Sequence, residues 1–225
     1  MPKIIRGKGG YTYDASLKQL KTKFEDQLMY LTQSSAHSEV RERWASISYT
    51  VLRRMAERLS AVSMIINTRE QQIMPFLIPA TEVGQPGFVI YKKGKQDKRF
   101  KSNDKRAEEI TEFVNQTGFI YDPFREDDFI DFGKMLMREM LTIDQVAIEL
   151  QRNRKGEIAA FWLIDGATIR RTTMKGYEGK KKIQFVQLLE EQVVAEYTKE
   201  ELIFDYMYKR VAIPHRGYGY SLLEQ

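Results

Sequence analysis

From Ser38 onward the apolar residues recur at intervals of three and four. Val40, Trp44, Ile47, Val51, Met55 and Leu59 fall on one face of a helix, with Arg41, Arg43, Arg53 and Arg54 elsewhere on its surface. The next stretch, "AVSMIINTREQQIMPF", carries Val62, Ile65, Ile66, Ile73 and Met74 until Pro75 stops it, so the pattern predicts two helices sharing one apolar seam. Before them, Leu17, Leu20, Phe24, Leu28 and Leu31 make a shorter amphipathic patch in an otherwise polar region punctuated by Gly7, Gly9 and Gly10. After them, "ATEVGQPGFVIYKK" predicts a turn at Gly84 to Gly87 and a short strand through Phe88 and Ile90.

Two further helices follow from the same periodicity. "SNDKRAEEITEFVNQTGF" places Ala107, Ile110, Phe113 and Val114 on one face, with Ser102 as the cap residue and Gly118 as the stop. "DPFREDDFIDFGKMLMREML" opens with Pro123 and the acids Glu126, Asp127 and Asp128, which suit the positive end of a helix dipole. Phe129, Phe132, Leu136 and Met140 then line one side, and Gly133 allows a neighbouring element to approach closely.

Beyond this helix the period changes to two. "TIDQVAIELQRNRKGEIAAFWLI" predicts a strand, a turn at Asn153 to Gly156 and a returning strand, with Val146, Ile148 and Leu150 on one side. "KKIQFVQLLEEQVVAEYT" repeats that logic around Glu190 to Gln192, and "ELIFDYMYKR" adds one more strand, on which Tyr206 and Tyr208 face one side. The expected class is α+β: helices first, then a small antiparallel β unit. "HRGYGYSLLEQ" closes the sequence with Ser221 and Glu224 at capping-box spacing, so a helix is expected to begin there and to run on past Gln225.

Composition narrows the chemistry. The 225 residues include 36 Lys and Arg against 31 Asp and Glu, a net charge of +5, which permits a polyanionic partner without requiring one. Cysteine is absent, which removes disulfides, zinc-thiolate sites and cysteine nucleophiles. No apolar run approaches the ~20 residues of a bilayer span, so no membrane role is read.

Candidate motifs favour plain structural explanations. The two histidines, His37 and His215, lie outside any G-x-S-x-G context, so no catalytic residue is assigned. "GYEGKKK" at 176–182 is two residues short of a phosphate-binding loop and reads as a turn, leaving no nucleotide, cofactor or metal site to assign. Asp122, Asp127 and Asp131 could hold metal ions for phosphodiester cleavage, which makes a metal-dependent nuclease an alternative, although the dipole preference for acids at a helix start is the favoured explanation of them. The run "KKGKQDKRFKSNDKR", Lys92 to Arg106, holds eight bases against two acids and supports a second alternative, a nucleic-acid-binding adaptor.

The order of elements carries a resemblance. A helical block containing "RWASISYTVLRRMAERLSAVSMIINTREQQI" comes first, then a helix-to-strand passage ending in the Asn153 to Gly156 turn, then "LIDGATIRR", "YTKEELIF" and a glycine-rich loop feeding "SLLE". In that order and spacing, over most of residues 40–225, the chain resembles the portal (head-tail connector) proteins of tailed bacteriophages, in their N-terminal part. The resemblance implies an arm over 1–37, a helical wing over 38–125, a first stem helix over 126–142, a β-rich clip over 143–214 and the start of a second stem helix over 215–225. It also implies a homo-oligomeric ring, usually a dodecamer, at one vertex of the capsid in the virion, assembled in the host cytoplasm. Double-stranded DNA would be packaged and ejected through it. The implied protein partners are the terminase large subunit, the major capsid or scaffolding protein and a head-tail adaptor, and the implied role is structural rather than enzymatic.

Overall fold

Ser48 starts the first described helix: its hydroxyl accepts the Val51 N–H at 3.4 Å and helix α1 runs Tyr49–Arg58. The computed structural model describes residues 5–7, 10–12, 39–43, 47–92, 104–118, 127–173, 176–212 and 215–225. The amphipathic patch at 17–31, His37, Trp44, most of the lysine run and Asp122 to Glu126 lie outside these. Among the described residues, Ile5–Gly7 (β1) pairs antiparallel with Gly10–Thr12 (β2).

Helix α2, Ser60–Ile73, follows α1 after a single extended residue, Leu59, and a 3-10 turn over Met74–Phe76 ends it at Pro75. The helical pair is therefore present, but its seam is not the expected one. Val40 lies in a short strand, Val40–Arg41 (β3), and the buried residues of the pair are Leu52, Ala56, Ile66 and Glu70. Val51, Leu59, Met64 and Ile65 stay exposed, at 44 to 65%. The stripe read from periodicity is thus rotated by about one position, and extended Leu59, with φ of −83° and ψ of 106°, separates the two helices.

The segment after α2 also departs from expectation. Phe88 makes one parallel bridge to Pro79 rather than forming a strand, the backbone doubling back through Gly84 and Gly87 at positive φ. Helix α3, Lys105–Asn115, is capped by Asp104, whose carboxylate accepts the Arg106 N–H at 3.2 Å, and it ends at Gly118 with φ of +92°. Helix α4, Phe129–Thr142, is capped by Asp128 accepting the Asp131 N–H at 2.8 Å. Gly133 on α4 is where Leu77 packs, since a Cβ there would fall 2.2 Å from Leu77 Cδ1.

An aromatic cluster joins these parts. Phe132 on α4 meets Phe161 edge-on at 5.2 Å and stacks with Phe129 at 5.9 Å, while Phe113 of α3 and Phe88 complete the set at 6.0 and 5.5 Å from Phe161 and Phe129. Each such pair adds about 0.5–1.5 kcal/mol beyond its area.

The remaining chain is antiparallel sheet, in two layers rather than one unit. Val146–Arg152 (β4) is the centre of a three-stranded sheet between Ile158–Ile164 (β5) and Leu202–Asp205 (β9). Ile169–Thr172 (β6) and Ile183–Leu189 (β7) form the middle of a four-stranded sheet with β3 on one edge and Gln192–Thr198 (β8) on the other. Alternation along β7 sends Phe185 inward between the sheets, against Ala147, Ile169, Tyr197 and Leu202. Its neighbour Val186 faces the opposite side, against Val40 and Tyr177. β9 ends at Asp205, so Tyr206 and Tyr208 lie past the strand instead of sharing one face of it.

Candidate functional site: a buried polar junction

The chain enters the sheets at residues 142–146 and leaves them through residues 206–221, and these two passages meet. Asp144 sits at the crossing with φ of +52° and no exposed surface, a conformation short polar side chains tolerate better than most. Its Oδ1 accepts the Met207 N–H at 2.8 Å, and its Oδ2 accepts the N–H groups of Tyr208 and Tyr220, both at 2.9 Å. Burial raises the Asp144 carboxyl above the ordinary aspartate range, and those three donors work against the rise. One carboxylate thereby fixes the exit strand's continuation and the glycine-tyrosine loop to the end of α4.

The loop is fitted to this carboxylate without spare room. A Cβ on Gly219 would fall 1.6 Å from the Asp144 carbonyl oxygen, so only glycine can pass there. Ser221, fully buried, donates its hydroxyl to the Thr142 carbonyl at 2.6 Å and accepts the Leu223 N–H at 3.0 Å. Glu224 returns to the Ser221 N–H at 3.0 Å, completing the capping box, and a 3-10 turn over Leu222–Glu224 follows.

Two more polar contacts reach the junction from the helices and sheets. Arg43 forms an ion pair with Glu224, both side chains almost wholly buried at 4% and 1% exposure, while its guanidinium also faces the Tyr49 ring at 4.6 Å. The Tyr49 hydroxyl donates to Gln145 Oε1 at 2.5 Å, and the Gln145 amide donates to the Gly166 carbonyl. Burial pushes the Tyr49 and Tyr218 hydroxyls well above the usual tyrosine range, so both stay protonated as donors. Tyr218 donates to the Arg41 carbonyl and accepts the Arg171 N–H at 3.0 Å, which clips the loop to the β3–β6 pair.

Within the helical layer, charges are paired with side-chain partners across helices. Arg53 of α1 reaches Glu139 of α4 at 2.7 Å and both oxygens of Asp165 at 2.6 and 3.1 Å. Arg138 of α4 grips both oxygens of Glu70 on α2 at 2.8 and 2.9 Å. Burial raises the Glu139 carboxyl despite Arg53, whereas at Asp165 the hydrogen bonds and charge of Arg53 outweigh burial and hold it below the aspartate range.

The residues singled out from sequence do not converge on a reactive centre. His215 lies 4.9 Å from the Tyr220 ring, centroid to centroid. Among the nuclease candidates, Asp131 faces Lys134 at 3.5 Å, Asp127 offers its carbonyl to Thr117, Asp128 is the cap of α4, and Asp122 lies outside the described residues. Of the lysine run, Lys92 is exposed and Asp104 to Arg106 open α3; the rest is outside the described residues. The "GYEGKKK" segment is a turn whose Lys180 pairs with Glu196 at 2.9 Å. Among the described residues no group of three His, Cys, Asp or Glu could hold a metal ion, and no helix is long and apolar enough to cross a membrane. Asp144, Arg43, Arg53 and Tyr218 were not anticipated; a lone carboxylate inside "LTIDQVAI" was the available signal for the first.

No protein-family model matches the chain. A "probable portal protein" of Enterococcus phage phiEF24C is 31% identical over 166 residues, which is 72% of this chain and 29% of that protein. A second "probable portal protein", of Staphylococcus phage Twort, is 29% identical over 170 residues, with the same two coverages of 72% and 29%. The chain thus spans about 29% of the length of these relatives. Among solved structures, the neck of an empty GTA particle computed with C6 symmetry superposes with a TM-score of 0.50 at 7% identity, over 85% of this chain and 45% of that one.

Proposed function

We propose, from the premise that this chain is a relative of tailed-phage portal proteins, that it is a structural wall segment of a homo-oligomeric ring in the virion neck. The observation that carries the reading is the sequence likeness over 72% of the chain, supported by a fold shared with a particle neck. In this reading residues 38–125 are the wing, 126–142 the first stem helix, 143–214 the clip, and 215–225 the opening of the second stem helix. The clamped loop at Gly217 to Ser221 gives that last assignment a physical basis. Ser221 holds the Thr142 carbonyl at the end of α4, so a helix continuing from Leu222 would start beside the helix that has just ended.

A ring of this kind would let double-stranded DNA pass into and out of the capsid. Its β-rich end would dock the terminase large subunit during packaging and a head-tail adaptor afterwards, and its outer face the major capsid or scaffolding protein. The motor chemistry belongs to the terminase in this scheme, and the wall segment breaks no bond. Near-balanced charge along α4 suits such a passage, with Asp131 and Glu139 against Lys134 and Arg138. A wall that neutralised many phosphates would have to release each one as the duplex moved.

Negative-stain imaging of the assembled protein is the test. Closed rings with a central opening are expected; a field of separate monomers under every assembly condition would overturn the reading.

A further inference from the structure

Two features of the helical layer stand open in the single chain. The first is a groove of about 520 Å³ where α1 gives way to α2, lined by Glu57, Arg58, Ser63, Asn67 and Gln71 around Met64. Met64 is 65% exposed there, while Ile66, on roughly the opposite side of α2, is buried. A helix with apolar residues on both sides is normally covered on both. Here the chain itself covers one.

The second feature is the loop from Pro79 to Phe88, beyond the other end of α2. Its base is closed by the Ala80 N–H donating to the Phe88 carbonyl at 2.9 Å and the Phe88 N–H donating to the Ile78 carbonyl at 3.1 Å. Inside the loop, Gln85 Oε1 accepts the Thr81 N–H and the Thr81 hydroxyl, each at 3.0 Å. A Cβ on Gly87 would fall 2.4 Å from the Ile78 carbonyl oxygen, so the turn closes only with glycine. The tip of this tied loop presents Val83, 79% exposed. A loop already held in shape loses little freedom when it binds.

We infer that these are the two halves of one contact between copies of this chain: Val83 at the loop tip of one copy seats against Met64 in the groove of the next. The choice of a second copy as partner rests on the portal reading above. Charge supports the match. Glu82 beside the tip and Arg58 at the groove are both exposed and of opposite sign, and neither forms an ion pair among the described residues. Glu57, the neighbour of Arg58, projects about 100° away around α1, so Glu82 can meet the cation without facing the carboxylate. Loop and groove lie towards opposite ends of α2, a 14-residue helix about 21 Å long. The contact is therefore head-to-tail: each copy offers its loop to one neighbour and receives a loop from the other. A repeated contact of that kind closes into a ring when its rotation divides the circle.

Because the chain has no cysteine, introduced thiols report on this contact alone. Met64→Cys and Val83→Cys proteins are prepared separately, mixed under assembly conditions and treated with a short bis-maleimide. The mixture should give a cross-linked dimer that neither variant gives by itself, and one chain carrying both changes should give a ladder of higher multiples. Lys155→Cys, on the Asn153 to Gly156 turn, should give no product with Val83→Cys. A dimer from Met64→Cys alone would overturn the inference, since two grooves would then face each other. Imaging of the parent separates this inference from the reading it rests on. Rings without the cross-link sink only the contact, the cross-link without rings sinks only the portal reading, and neither product sinks both. Charge reversal adds a second measurement. Glu82→Arg and Arg58→Glu alter exposed side chains, so each should keep the parent melting temperature while weakening association at least ~10-fold, and the two together should recover most of it. Single variants that associate like the parent, or a double variant no better than either single one, would overturn the contact.

Discussion

The junction at residues 142–146 and 216–224 and the helical layer of α1 and α2 handle their difficult groups in opposite ways. The junction buries a carboxylate, an ion pair, a serine and two tyrosines, and satisfies them largely with backbone N–H and C=O groups. The helical layer joins its ion pairs side chain to side chain, part-buried at Arg53–Glu139 and buried at Glu70, and leaves large apolar side chains such as Met64, Ile65 and Phe76 at least 57% exposed. The difference teaches where rigidity is placed. Buried polar groups with fixed partners tolerate one arrangement only, so the two sheet passages are locked to the end of α4, whereas the helices present surface that nothing within the described residues covers.

If that contrast is right, the junction should fail abruptly and the layer gradually. The largest effect belongs to Gly219→Ala, which forces a methyl into the Asp144 carbonyl. We expect a loss of about 4 kcal/mol or more, seen as a fall in the urea midpoint or as loss of soluble protein; a stability within ~0.5 kcal/mol of the parent would show that the loop can move away. Next comes the buried pair. Arg43→Met leaves the Glu224 carboxylate without its cation and should cost about 3–5 kcal/mol, while Arg43→Met with Glu224→Leu should recover much of that. A double variant no better than the single one would mean that Arg43 acts through Tyr49 and the Ile47 and Gly219 carbonyls rather than through the ion pair.

The smallest effect concerns pH at the part-buried contact between Arg53 and Glu139. Glu139 is raised above its unfolded value by burial, so the folded state takes up its proton first and stability gains as pH falls through the folded pKa, above the ordinary glutamate value. Asp165, held below its ordinary value, contributes with opposite sign and only at more acid pH. In Glu139→Gln the gain on acidification at pH values above the ordinary glutamate range should vanish from thermal melts. An unchanged slope would place the titration elsewhere.

Much of this architecture was legible in the pattern of residues, and the exceptions share a cause. The helix from Phe129, the Asn153 to Gly156 hairpin and the strands at 183–198 were readable because period, turn residues and length agreed. The capping box at Ser221 was equally plain, since both of its contacts are local. What escaped depended on partners far along the chain. Val40 looks helical by spacing but pairs with Thr172, more than a hundred residues on, and Leu52 rather than Val51 is buried. Asp144 carries no local sign of its three donors, which arrive from residues 207 to 220. The division into two sheets was hidden for the same reason: β4 pairs with β9, and β5, β6, β7 and β8 lie between them in sequence.

The most direct test of the account is the molar mass of the assembled protein, measured by light scattering during size-exclusion chromatography. A wall segment predicts one dominant species at a whole-number multiple of the subunit mass, consistent with a closed ring. A single peak at the mass of one subunit, unchanged across protein and salt concentration, would contradict it.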